Sequence, residues 1–198
     1  MARTLEFLFD FGSPTTYLAY KRLPALKART GARIVYLPML LGGVYKATGN
    51  ASPASIPAKG AWMGIDMARF AKRHGIVFRS NPYFPINTLH LMRGATGLID
   101  DLRFAAYLEA VFDAMWREPK NLGDPAELGP VLARAGLASD EFRALTEREG
   151  VKERLKAATE QAVARGVFGA PTFFVGEEMF FGQDRLDFVE EALLAPAA

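Results

Sequence analysis

Leu5, Phe7, Phe9 and Phe11 alternate with Glu6, Leu8 and Asp10, and this period of two predicts a strand over residues 5–11. The strand runs into Gly12-Ser13-Pro14, where Ser13 suits the N-cap of a helix and Pro14 its first position. The helix that follows carries Tyr17, Leu18, Leu23 and Leu26, holds Pro24 as an expected kink, and closes at Gly31. Ile34-Val35-Tyr36-Leu37, stopped by Pro38, reads as a second strand. A strand, helix, strand unit of this size favours a parallel pair with a right-handed crossover.

The segment from Gly42 to Pro57 is rich in Gly, Ala, Ser and Pro and reads as irregular; it holds Lys46 and Asn50. From there to Arg165 the pattern is helical. Met63, Met67, Phe70, Ala71 and His74 form one stripe ending at Gly75, with His74 read as structural. Phe104, Leu108, Val111, Phe112 and Met115 form the cleanest amphipathic face, read as core. Asp124-Pro125-Ala126-Glu127 matches a capping box whose helix ends near Gly136, and Ser139 is placed at the start of another helix. Val151, Leu155, Ala158 and Ala162 carry the last helix of the block toward Gly166.

After Pro171 the strand signal returns. Thr172-Phe173-Phe174-Val175 and Met179-Phe180-Phe181 flank a turn at Gly176-Glu177-Glu178 and predict a hairpin. Asp184 is then a candidate cap for a final helix through Leu186, Val189 and Leu193. Neither a lone hairpin nor a two-strand unit is stable by itself, so the distant strands are expected to share one sheet. The chain then divides into residues 1–41 with 166–198 as one α/β unit and 42–165 as a helical insertion, whose start is expected to cover Ser13 and form a substrate cleft.

Composition narrows the chemistry. The chain has 198 residues, half of them hydrophobic, and a formal net charge of +2, too slight an excess to suggest nucleic acid as the partner. There is no cysteine, so the fold has no disulfide and any thiol chemistry must use a thiol brought in. With two histidines and no cysteine, a zinc or copper site is not expected, while an oxygen-ligand site stays open. Glu6 and Asp10 interrupt the apolar amino-terminal run, which therefore does not read as a signal peptide; no run reaches the ~20 apolar residues of a membrane helix. A cytoplasmic location and no membrane partner are expected.

Ser13 is the principal candidate for chemistry. A helix start leaves backbone N–H groups unpaired and carries about half a positive charge, which stabilises an anion there. Taken alone, Ser13 reads first as a simple helix cap, ahead of any chemical role. Four motifs in order change that reading, and together they resemble the 2-hydroxychromene-2-carboxylate isomerases, close to the kappa-class glutathione transferases in the thioredoxin superfamily. Phe9-Asp10-Phe11-Gly12-Ser13-Pro14 resembles that family's active-site segment, in which a serine replaces the redox cysteine and faces the glutathione sulfur. Lys46-Ala47-Thr48-Gly49-Asn50 is similar to its Lys-x-x-Gly-Asn segment, whose asparagine lines the active site. Phe168-Gly169-Ala170-Pro171-Thr172 resembles its Phe-Gly-x-Pro loop, where the proline is cis and the residue before it pairs with the cysteinyl backbone of glutathione. Phe180-Phe181-Gly182-Gln183-Asp184-Arg185-Leu186 resembles the segment that receives the γ-glutamyl end, with phenylalanines where family members carry tryptophan.

The resemblance implies a thioredoxin-like domain with a large inserted all-helical domain, glutathione as cofactor, an aromatic keto-acid substrate and a homodimer. It makes Ser13 the catalytic residue, and Ser13, Ala170, Pro171, Gln183 and Asp184 the glutathione contacts. Lys46, Asn50, Lys59 and Tyr83 are the candidates for the substrate; a solvated helix start is an equally good reading of Lys59. A free thiol with a pKa near 8.5 is only a few per cent ionised at neutral pH, and lowering that by two units needs roughly 2.7 kcal/mol. A helix N-terminus at up to about 2 kcal/mol and a hydrogen bond to a charged group at about 1.5–3 kcal/mol suffice. Reversible thiolate addition to a double bond conjugated with a ketone then permits rotation, and glutathione is not consumed. The alternatives are a kappa-like transferase that does consume it and a non-enzymatic scaffold or chaperone. A serine hydrolase is disfavoured, since no Gly-x-Ser-x-Gly elbow exists.

Overall fold

The computed structural model describes residues 3–195. Strands β1 (Thr4–Phe9), β2 (Arg33–Pro38), β3 (Thr172–Val175) and β4 (Glu178–Phe181) form one sheet in the order β2-β1-β3-β4. β1 and β2 run parallel, with Leu5 opposite Ile34 and Phe7 opposite Tyr36; β3 is antiparallel to β1, with Phe7 opposite Phe173. β3 and β4 make the expected hairpin, and Val175 faces Glu178 across the two-residue turn Gly176-Glu177. The strands at the two ends of the chain thus share a sheet because each alone is too small to bury a face.

Between β1 and β2 lies α1 (Pro14–Thr30), continuous through Pro24, with Ser13 as its N-cap and Gly31 as its left-handed C-cap. The helical block comprises α2 (Leu41–Thr48), α3 (Pro57–Arg73), α4 (Leu89–Leu98), α5 (Phe104–Trp116), α6 (Pro125–Arg134), α7 (Ser139–Glu147) and α8 (Glu149–Ala164). The chain closes with α9 (Leu186–Leu194). No helix among the described residues is long and apolar enough to cross a membrane.

Several local expectations are corrected. Gly42 to Pro57 is not irregular throughout, since α2 occupies its first half and a short 3₁₀ turn spans Pro53–Ser55. Tertiary packing overrides the poor intrinsic propensity of Gly42-Gly43. A Cβ added at Gly43 would lie 3.1 Å from Thr159 Cγ2, so the glycine lets α2 press onto α8. The strand predicted to Phe11 stops at Phe9, because Asp10 to Gly12 turn the chain toward Ser13. Ser139 does open a helix as expected, standing as the first helical residue of α7 without a capping bond. Asp184 does not cap α9; it lies in a 3₁₀ turn, Gln183–Arg185, and its carboxylate accepts from Arg185. At α6, Asp124 accepts from the Ala126 N–H, but Glu127 reaches back to the Asn121 N–H and not to Asp124, so the capping box is only half formed.

The sheet separates two cores. Leu5, Phe7 and Phe9 of β1 and Phe173 of β3 enter a large core with α1, α5 and α9, centred on ring contacts such as Phe11–Phe112 at 4.7 Å. On the opposite face Leu8, Val44, Ala162, Val167, Ala170 and Phe174 form a small core under α2 and α8.

Candidate active site

The site grows from the end of β1. Asp10 is buried, and its Oδ1 accepts from the Gly12 N–H at 2.8 Å and the Thr88 hydroxyl at 2.8 Å. Its Oδ2 accepts from the Leu41 N–H at 2.8 Å, so one carboxylate fixes the Gly12 turn, the start of α2 and the start of α4. Burial pushes this carboxyl above its ordinary range, and the hydrogen bonds from Gly12, Leu41 and Thr88 pull against that. Gly12 has little room for a side chain, since a Cβ would sit 3.2 Å from Thr88 Cγ2 and 3.3 Å from Asp10 Oδ1. On the other side Trp116 Nε1 donates to the Phe11 carbonyl at 2.8 Å, tying α5 to the same turn.

That turn presents Ser13, which is 4% exposed, at the first turn of α1. Ser13 Oγ accepts from the Thr16 N–H at 3.2 Å and donates to the Ala170 carbonyl at 3.0 Å. Thr15 Oγ1 lies 3.0 Å from Ser13 Oγ and 3.3 Å from the same carbonyl. The Ala170–Pro171 peptide is cis, as is Phe84–Pro85, which the sequence did not foreshadow. Gly182 N–H donates to the Pro171 carbonyl at 3.0 Å and brings the 182–185 turn beside the loop.

The other expected residues are distributed unevenly. Asn50 Nδ2 donates to the Phe168 carbonyl at 2.8 Å, so the end of the α2 segment is latched to the same loop that Ser13 meets. Gln183 is buried, and its backbone carbonyl accepts from Arg22 at 2.7 Å; Asp184 is exposed beside it. Lys59 is exposed in the first turn of α3, and Tyr83 is half-exposed, with its N–H bonded to Asn81 Oδ1. Lys46 lines a groove between α2, α4 and α8 whose lining does not include Ser13, Ala170 or Gln183. Gly169 is dictated by packing, because a Cβ there would lie 2.7 Å from the Phe181 ring.

Three structural contributors were not singled out from sequence: Asp10, Thr88 and Trp116. Asp10 carried a readable signal, an acid at the end of an apolar strand directly before Gly-Ser-Pro. Thr88 and Trp116 carried none, because their roles depend on partners 78 and 105 residues away.

The arrangement offers hydrogen-bond donors to a ligand. Among the described residues no hydrogen bond is made to the Ala170 N–H or to the Thr15 N–H, so a strand-like backbone and an anion each find a donor beside the Ser13 hydroxyl. With no cysteine in the chain, the site offers donors and no nucleophilic sulfur of its own.

A sheet of this order with a cis-proline loop facing a helix start is a thioredoxin-type architecture, and the chain belongs to the DSBA-like thioredoxin domain family, whose model matches residues 4–194. Within it, the chain belongs with the 2-hydroxychromene-2-carboxylate isomerases. It is 34% identical to the 2-hydroxychromene-2-carboxylate isomerase of Pseudomonas putida over 195 residues, 96% of this chain and 93% of the relative. It superposes on a solved 2-hydroxychromene-2-carboxylate isomerase with a TM-score of 0.86 at 31% identity, covering 96% of this chain and 94% of the other. Human glutathione S-transferase kappa 1 is 26% identical over 212 residues, 98% of this chain and 92% of the relative.

Proposed function

We propose that this chain is a glutathione-dependent isomerase that interconverts 2-hydroxychromene-2-carboxylate-type compounds and trans-o-hydroxybenzylidenepyruvate in aromatic catabolism. The observation that carries this reading is the Ser13 hydroxyl, held at the start of α1 and aimed at the Ala170 carbonyl in a chain without cysteine. Bound glutathione would supply a thiolate able to add reversibly to a carbon–carbon double bond conjugated with a ketone. The protein's part is to hold that sulfur and keep it ionised. Ser13 turns its hydroxyl from Ala170 toward the sulfur, and the first-turn N–H groups of α1 add their dipole. Ala170 binds the peptide backbone of the cofactor, Pro171 shapes the loop, and Gln183 and Asp184 receive its γ-glutamyl end.

In this proposal Asn50, Lys59 and Tyr83 meet the aromatic keto-acid, and the unit made of 1–41 and 166–198 binds the cofactor while 42–165 binds the substrate. Asn50 supports that division, since its bond to Phe168 joins the two at the site. A cytoplasmic homodimer completes the reading. The test follows isomerisation of a hydroxychromene carboxylate by absorbance with and without glutathione while free thiol is counted. Turnover that requires glutathione and leaves its concentration constant supports the isomerase. Stoichiometric thiol loss identifies a transferase, and undiminished turnover without glutathione removes the cofactor from the account.

A further inference from the structure

The groove that holds Lys46 has a chemistry of its own. It encloses about 860 Å³, within the ~300–1,000 Å³ of small-molecule sites. Leu40, Leu89, Leu155 and Val163 give it an apolar wall. Leu89 and Arg93 stand one turn apart on α4 and both line the groove, so the arginine stem lies beside that wall. Arg93 Nε is shielded from solvent and has no hydrogen-bond partner among the described residues. A buried donor left unpaired costs about 1–3 kcal/mol, and the Arg93 side chain is not committed to a partner among the described residues. Lys46, exposed at the rim, also makes no ion pair or hydrogen bond among the described residues.

The other charges lining the groove cancel only one of these two. Lys152 holds Glu149 at 3.2 Å and Lys156 stands 3.8 Å from Glu160. That leaves Arg93 and Lys46 against Glu153, an excess of one positive charge at the apolar wall. The two terminal Nη groups of an arginine offer parallel N–H donors, a geometry that matches the two oxygens of a carboxylate. We infer that the α2–α4–α8 groove is a second binding site, separate from the Ser13 centre, for a monocarboxylate with an apolar aromatic body, held by Arg93 with Lys46 at the rim. The site shares α2 and α4 with the Asp10 anchor, so an occupant would rest against the same two helix starts that shape the Ser13 turn.

The probe is 2-naphthoate, titrated calorimetrically into the full-length protein, with neutral 2-naphthalenemethanol as the control. The expected result is naphthoate binding that persists in saturating glutathione and in Ser13→Ala, falls roughly tenfold or more in Arg93→Met, and falls a few-fold in Lys46→Ala. Arg93→Lys keeps the charge but loses the paired donors, and serves where Arg93→Met does not fold; it too is expected to weaken binding. No naphthoate binding, equal affinity in the Arg93 variants, equal affinity for the alcohol, or displacement by glutathione would each overturn the assignment.

Discussion

The two faces of the sheet use the same strand for different ends. Leu5, Phe7 and Phe9 point from β1 into a large core of stacked and edge-on rings, where Phe7 lies 5.6 Å from Phe9 and 5.4 Å from Phe173. Glu6, Leu8 and Asp10 point the other way, and each does something separate. Glu6 pairs with Arg165 at 2.6 Å, Leu8 fills the small core, and Asp10 gathers three donors from distant segments. The aromatic face holds the molecule together through volume, which is non-directional and tolerant of detail. The opposite face holds it through directed contacts, and those position Ser13. Period-two alternation along β1, with Asp10 directly after its last residue, is what lets so short a stretch serve both.

The largest test of this contrast is truncation on the aromatic face. Phe9→Ala is expected to lower unfolding free energy by about 3–5 kcal/mol, and Leu8→Ala by about 2–3 kcal/mol, measured by urea denaturation. Equal losses would mean that the small core carries as much of the stability as the large one. Asp10→Ala comes next, at about 3 kcal/mol, since it strands two N–H groups and a hydroxyl in a buried place. Unlike Phe9→Ala, it should also disturb glutathione binding at temperatures where the protein stays folded.

The titration of Asp10 sharpens the same point. Because burial keeps the native carboxyl protonated to higher pH than the unfolded one, the native state holds more protons across that interval. The contribution of Asp10 is therefore greatest below the ordinary value of 3.8, declines as pH rises toward the raised native value, and then levels off. A melting-temperature series against pH should show this slope in the wild type and not in Asp10→Asn.

Ser13→Ala should move chemistry more than stability. Loss of a charge-assisted hydrogen bond worth about 1.5–3 kcal/mol corresponds to roughly ten- to a hundredfold in turnover, partly recovered at alkaline pH, with most glutathione affinity kept. The lost cap costs about 1 kcal/mol of stability. Identical thiolate absorbance of bound glutathione against pH in the two proteins would reduce Ser13 to a cap. The smallest effect is expected at Thr16, whose buried hydroxyl has no partner among the described residues. Thr16→Val should be neutral or stabilising by up to about 1 kcal/mol, and a clear loss would show that the hydroxyl is engaged after all.

What could be read from sequence follows the same division. Alternation in β1 as far as Phe9, the strand-forming run of β3, the Ser13-Pro14 helix start and the face of α5 are local patterns, and the structure has each of them. The Phe-Gly-x-Pro loop was legible because its residues are contiguous. The α2 helix was not, because its stability comes from Gly43 against Thr159 and from Asp10 at its start, neither visible within an eleven-residue window. Lys46 was read from the Lys-x-x-Gly-Asn segment, and no sequence signal showed that its side chain lines the groove between α2, α4 and α8. Arg93 gave no signal, since a lone arginine in an apolar helix reads as a solvated stem.

The Trp116 bond to Phe11 has an optical consequence. The chain has two tryptophans; Trp62 is 58% exposed and Trp116 only 2%. Replacing Trp62 with phenylalanine would leave a single indole whose N–H is anchored to the backbone one residue before Gly12-Ser13. Its emission would come from an apolar, hydrogen-bonded setting and shift to the red when that anchor lets go. The protein therefore carries its own fluorophore beside the turn that presents Ser13, and loosening of that turn can be watched in solution without attaching a dye.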